Sequence, residues 1–91
     1  MENNEELKVI ILDSKQITMK EIENVKIIRV KSDKYNLLIM KDYWPVVGEI
    51  NGKIVIEAEE SLTFENIVGF FALSHNVFHL IIKEAGDVSG E

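Results

Sequence analysis

The dipeptide Asn51-Gly52 constrains this chain more than any other feature. It separates two stretches rich in β-branched residues, Val46-Val47-Gly48-Glu49-Ile50 and Lys53-Ile54-Val55-Ile56. Both central residues of a type I′ turn need φ > 0, a region that Asn tolerates and Gly enters freely. The pattern predicts a two-residue β-hairpin and, with it, an antiparallel sheet. The hairpin closes a longer stretch, Asn36 to Ile56, that opens on a short apolar strand and an aromatic turn. That stretch holds the only Pro and the only Trp of the chain, and one of its two Tyr.

The flanking sequence reads the same way. Leu7 to Leu12 is a strand candidate, apolar at every position but Lys8 and β-branched from Val9 to Ile11. Asp13-Ser14-Lys15 is a turn, Gln16 to Glu21 a weaker strand, and Glu23-Asn24 another turn. In Val25 to Lys31, Val25 and Ile27 share one face, then Ile28 and Val30 share the other. Such a change of register implies a bulge or a strand covered on both faces. Ser32-Asp33-Lys34 is a polar turn, and Leu37 to Met40 a short strand. Pro45 cannot donate to a ladder, so it belongs at a strand start or an edge.

Leu62 to Leu73 and Val77 to Lys83 are apolar segments on either side of Ser74-His75-Asn76. A helix over Phe64 to Ala85 is compatible with the spacing of Phe64, Ile67, Val68 and Phe71. Gly69, the β-branched and aromatic load, and the Ser-His-Asn break favour two strands joined by a short turn. The whole predicts an all-β protein: an antiparallel β-sandwich of about eight to ten short strands in a single domain over residues 1–91. Residues 1–6 and 86–91 are expected to be flexible.

A chain of 91 residues buries roughly 60–65% of its unfolded surface. Net charge is −6, from 16 acids against 10 bases. That balance argues against a nucleic-acid or anionic-membrane binder, which needs clustered Lys and Arg. There are no cysteines, so neither disulfides nor thiolate chemistry is available. MENNEELK lacks the basic and apolar regions of a signal peptide, and no apolar run reaches the ~18–20 residues of a membrane span. A cytoplasmic location without direct membrane insertion is expected.

Little in the sequence suggests an enzyme. His75 and His79 have metal-ligand spacing on a helix, but on a strand they stand ~13 Å apart, so neither a metal site nor a cofactor is expected. Glu57, Glu59, Glu60 and Glu65 read as a solvated charge run without an accompanying nucleophile. Ser14, Ser32, Ser61 and Ser74 lack a G-x-S-x-G context, and the scattered glycines form no phosphate loop. Tyr43 and Trp44 stand out. Beside Pro45, Lys41 and Asp42, they suit either core packing or a contact surface.

The order of these elements resembles the N-terminal β-sandwich domain of the epsilon subunit of rotary F-type ATP synthases. LKVIILDSKQITMKEIENVKIIRVKSD is similar to the opening strands of that family. Ile39-Met40-Lys41-Asp42-Tyr43-Trp44-Pro45 resembles its Ile-Leu-Pro-x-His-x-Pro loop, with Lys41 at the first Pro and Tyr43 at the His. Asn51-Gly52-Lys53-Ile54 resembles its Gly-centred hairpin. Ile67-Val68-Gly69-Phe70-Phe71-Ala72-Leu73-Ser74 resembles its Val-Ser-Gly-Gly-Phe-x-Glu-Val segment, with Phe70 at the second Gly and Leu73 at the Glu. The Gly-Glu-Phe-Gly-like step before the loop is replaced by Tyr35-Asn36-Leu37-Leu38.

The resemblance spans about residues 7–85 and implies a non-catalytic central-stalk subunit. Such a subunit docks the shaft (gamma) subunit onto the membrane ring of ion-carrying subunits. It implies partner contacts through Met40, Lys41, Asp42, Tyr43 and Trp44, with Asn36 nearby. It also implies a short form without the C-terminal helical hairpin that brakes ATP hydrolysis in many members. A free-standing interaction or regulatory domain is the alternative reading of the same residues.

Overall fold

Seven strands carry the regular structure of the computed structural model, which describes residues 6–89. They are β1 Leu7–Asp13, β2 Thr18–Val25, β3 Ile27–Ser32, β4 Asn36–Ile39, β5 Val46–Glu57, β6 Ser61–Ser74 and β7 Val77–Ser89. They form one sheet in the order β2-β1-β7-β6-β5-β3-β4. Every neighbouring pair is antiparallel except β1 and β7, which run parallel from Lys8↔Val77 to Asp13↔Ile82.

With no helix among the described residues to cover it, the sheet buries its residues by folding onto itself. Val9 near one edge and Ile39 at the other are both fully buried and belong to one apolar cluster. The long strands make the fold. β5 pairs with β6 along its length, but with β3 only from Gly52 to Glu57. β7 pairs with β1 only from Val77 to Ile82. The first half of β5, the second half of β6 and the first half of β7 therefore build one layer with β1 and β2. Their other halves build the second layer with β3 and β4. Phe78, Leu80, Ile50, Ile54, Ile56 and Ile67 are among the side chains buried between the layers.

The expected all-β sandwich is present, but its sheet is mixed rather than wholly antiparallel, because β1 pairs with β7 in parallel, and its strands are fewer and longer than the turn signals suggested. The chief correction falls on Asn51-Gly52. No hairpin forms there, and β5 continues through the dipeptide as a strand of 12 residues. Neither residue takes a positive φ. Gly52 serves another need: a Cβ built on it would lie 2.2 Å from the Lys31 carbonyl oxygen, so only glycine lets β3 and β5 approach where the strand turns from one layer to the other. The two-residue turn with both φ values positive is His75-Asn76, at φ 51 and 64, between the paired Ser74 and Val77. The break at Ser74-His75-Asn76 is thus a hairpin, and the last third is two strands.

Three further irregularities bend the sheet. Asn66, at φ 56, lies in β6 where the pairing with β5 slips between Gly52 and Ile54. The β6–β7 register slips between Val68 and Gly69, which places an extra residue, Lys83, on β7. Asn24, at φ 57, interrupts β2 where its register with β1 changes. Bulges of this kind increase local twist and turn a sheet corner. The register change expected within Val25 to Lys31 proves to be a layer crossing: β2 ends at Val25, β3 starts at Ile27, and the Lys26 amide donates to the Glu57 carbonyl at 2.8 Å. Beyond Lys83, the stretch from Ala85 to Ser89 continues β7, because the first half of β6 supplies it with a partner. Of the expected flexible ends, residues 1–5 and 90–91 lie outside the described residues.

The β1–β2 turn holds a strained residue. The Asp13 carboxylate accepts from the amides of Lys15 and Gln16 at 3.0 and 3.2 Å. Ile17 closes the turn at φ 53 with its side chain 87% exposed. A β-branched residue in the left-handed region is disfavoured by about 1–2 kcal/mol, against about 0.5–1 kcal/mol of extra chain entropy for glycine. Ile17→Gly is therefore expected to raise stability by about 0.5–1 kcal/mol, seen as a higher urea midpoint at unchanged slope.

Candidate functional site: an apolar sheet face and an aromatic loop

The loop from Met40 to Pro45 leaves β4 in one layer and enters β5 in the other. Two contacts fix its shape. The Tyr43 amide donates to the Met40 carbonyl at 3.2 Å. Asp42, at φ 66, is held by Asn76 from the β6–β7 turn: its amide donates to Asn76 Oδ1 at 2.6 Å, and Asn76 Nδ2 donates to its Oδ1 at 3.1 Å. Within this frame Tyr43 turns inward and packs against the core cluster. Trp44 turns outward and is 82% exposed. Met40, Lys41 and Asp42 are also exposed. Asn36 is not part of this group, since it pairs with Lys31 at the far end of β4, about 10 Å from Ile39 at strand spacing.

A second feature adjoins the loop. On the outer side of the β1–β2 layer, Met19, Leu12, Ile81 and Phe70 form a continuous row across four strands through the pairs Met19↔Leu12, Leu12↔Ile81 and Ile81↔Phe70. All four are exposed, Phe70 to 44%. The next row towards the loop runs Ile10, His79, Ala72 and Val47, the last 76% exposed. Charge is confined to the rim: Lys8 pairs with Glu21 at 3.0 Å, and Lys83 Nζ lies 5.5 Å from the centroid of the Phe70 ring. The outer side of the other layer mixes charged side chains with Leu38, which is exposed beside Arg29. It carries Arg29, Lys31, Lys53, Glu57 and Glu65, with Arg29 Nε 3.0 Å from Glu57 Oε2. A contiguous exposed apolar sheet face is a candidate interaction surface.

The loop was legible from Tyr43, Trp44 and Pro45. The apolar face was missed, although Val9 to Leu12, Phe70 to Leu73 and Leu80 to Ile82 are apolar at both strand parities. Unbroken runs of that kind mean cover on both sides of a sheet. Of the three aromatics Phe70, Phe71 and Phe78, the last two are buried and stacked with centroids 5.5 Å apart, and only Phe70 joins the face.

The opposite flank of β5 is sealed. The Tyr35 hydroxyl donates to the Glu49 carbonyl, the Asp33 amide donates to the Asn51 carbonyl, and the Asn51 amide donates to Ser32 Oγ. Burial first, and the Glu49 carboxylate second, raise the Tyr35 phenol above its ordinary pKa and keep it a donor. The β3–β4 turn thus blocks the free edge of β5 against further strand pairing. Among the described residues, no three His, Asp or Glu side chains gather as a metal set. His75 Nδ1 contacts its neighbour Ser74 Oγ at 2.9 Å, and His79 lies on the apolar face. Among the described residues, no helix is long and apolar enough to cross a membrane.

The fold and the two surfaces define a class of protein, a small all-β sandwich with one exposed apolar face and an adjoining aromatic loop. Comparison with known proteins narrows the fold. No protein-family profile and no curated protein matches the sequence. Among solved structures, the chain is similar to one in the Tetrahymena thermophila mitochondrial ATP synthase central stalk and c-ring assembly. The TM-score is 0.70 at 10% identity, over 92% of this chain and 69% of that one. The likeness at that identity is one of fold: this chain shares the architecture of a protein from an ATP synthase stalk–ring assembly.

Proposed function

We propose that this chain is a structural, non-catalytic subunit of the central stalk of a rotary ATPase. It stands at the cytoplasmic side of the membrane and joins the shaft subunit to the ring of ion-carrying subunits. The observation that carries the reading is the pairing of two adjoining interaction surfaces on a fold shared with a stalk–ring protein. A coupling subunit needs such a pair, because it must grip two partners at once. The apolar face offers the breadth a protein partner requires, and the Trp44 loop offers an exposed aromatic anchor with Lys41 and Asp42 beside it. The likeness of Met40 to Pro45 to the epsilon-subunit loop supports the ring as the loop's partner.

The test is to purify the tagged chain from its own cells and identify its companions by mass spectrometry. Shaft and ring subunits are the expected companions. Recovery of other proteins in their absence would replace this reading with that of a free-standing interaction domain on the same fold.

A further inference from the structure

Asn76 is the one polar side chain buried among the described residues, at 9% exposure. It stands in the left-handed region at φ 64 and bonds to two other parts of the chain. Its backbone carbonyl accepts from the Lys8 amide at the start of β1, at 2.8 Å. Its side-chain oxygen accepts from the Asp42 amide at 2.6 Å, and its side-chain nitrogen donates to the Asp42 carboxylate at 3.1 Å. The residue itself belongs to the hairpin turn that joins β6 to β7. A two-residue turn needs none of these side-chain bonds to close, since glycine supplies the same backbone conformation. The side chain therefore serves the loop rather than the turn.

From this geometry we infer that Asn76 is a positioning residue, which clamps the Trp44 loop to the sheet that carries the apolar face. The inference rests on the stalk reading for its partners but not for its geometry. Asp42 sits two residues before Trp44, in the left-handed region, where residues other than glycine are uncommon. With its amide and its carboxylate both engaged by Asn76, the loop has one shape before any partner arrives. A loop ordered in advance spares its partner the ordering of its side chains. The clamp also makes the two surfaces one body: β1 and β7 bear the face, and Asn76 ties both to the loop. Between a shaft and a ring, a hinge at that point would let one surface move without the other.

The test exchanges donor and acceptor. Asn76→Gly keeps the turn and removes the clamp. Asn76→Asp alone sets a carboxylate against that of Asp42. Asn76→Asp combined with Asp42→Asn restores a donor facing an acceptor. Hydrogen exchange is followed by NMR at the Asp42 amide, with the Phe78 and Leu80 amides as core references. Asn76→Gly is expected to speed exchange at Asp42 at least tenfold with the core references unchanged, and the double variant to bring it back. Affinity for purified shaft and ring proteins should fall about five- to thirtyfold in Asn76→Gly and recover in the double variant.

Unchanged exchange at Asp42, or faster exchange without any loss of affinity, would overturn the clamp. If Asn76→Gly does not fold, Asn76→Asp, which sets a carboxylate against that of Asp42, carries the same test, with Asp42→Asn as its rescue. Should wild-type chain bind neither stalk protein, the stalk reading fails, while the exchange measurement still decides the clamp.

Discussion

Trp44→Ala is expected to weaken capture of the stalk proteins by about 30- to 1,000-fold, equivalent to about 2–4 kcal/mol, and to leave the fold intact. With 82% of its surface exposed, Trp44 contributes little to the folded core, so its truncation creates no cavity. Its melting temperature should stay within about 2 °C of wild type, as is usual for surface substitutions. Tyr43 makes a poor companion in the same test, because it packs against the core cluster and its loss destabilises the sandwich as well. The measurement is binding of purified variant and wild type to isolated shaft and ring proteins, with thermal melts in parallel. Wild-type binding by a folded Trp44→Ala chain would remove the loop from the interface and leave the apolar face as the sole contact.

Gly69→Ala should have the largest effect on stability of any exchange this small. A Cβ at Gly69 would lie 2.0 Å from the Ile81 carbonyl oxygen, a backbone atom that cannot step aside without breaking the β6–β7 ladder. The expected loss is about 3–5 kcal/mol, set against a usual domain stability of about 5–15 kcal/mol. At a position without such a contact the same change stabilises a protein by about 0.4–1 kcal/mol through the unfolded chain, so even the sign of the effect is diagnostic. Urea unfolding of the two proteins decides it. A variant as stable as wild type would show that the β6–β7 ladder can open at the bulge to admit a methyl group without losing its pairing.

The contrast between Asn51-Gly52 and His75-Asn76 explains how much of this fold a reader of the sequence can reach. Local conformational freedom marks Asn-Gly as a hairpin, and the freedom is real. It is overridden because β6 pairs with β5 on both sides of the dipeptide, so a turn there would break a ladder that continues from Val46 to Glu57. Gly52 is needed for the closeness of Lys31, a neighbour that only the tertiary fold supplies. His75-Asn76 carries no comparable signature, and it was reached through the interruption of the apolar runs around it.

The aromatic loop was legible because Tyr43, Trp44 and Pro45 are conspicuous where they stand. The apolar face was written into the sequence as runs without alternation, but the runs alone do not tell a strand buried on both sides from one whose outer side awaits a partner. Asn76 was beyond reach, because its bonds join residues 34 apart in sequence.

The parallel pairing of the first strand with the last also governs the birth of the molecule. β1 meets only β2 until β7 exists, because the register Lys8↔Val77 to Asp13↔Ile82 requires the chain through Ile82. At about 5–20 residues per second, the nascent chain waits several seconds on the ribosome for that partner. Throughout the wait the β1–β2 hairpin presents apolar residues on both sides and an unpaired edge on β1. The free side of β2 bears Lys20, Glu21 and Glu23, charges that discourage pairing with a stray strand. β1 carries charge only at its ends, Lys8 and Asp13, so Val9 to Leu12 form the stretch of that edge least guarded against a stray strand.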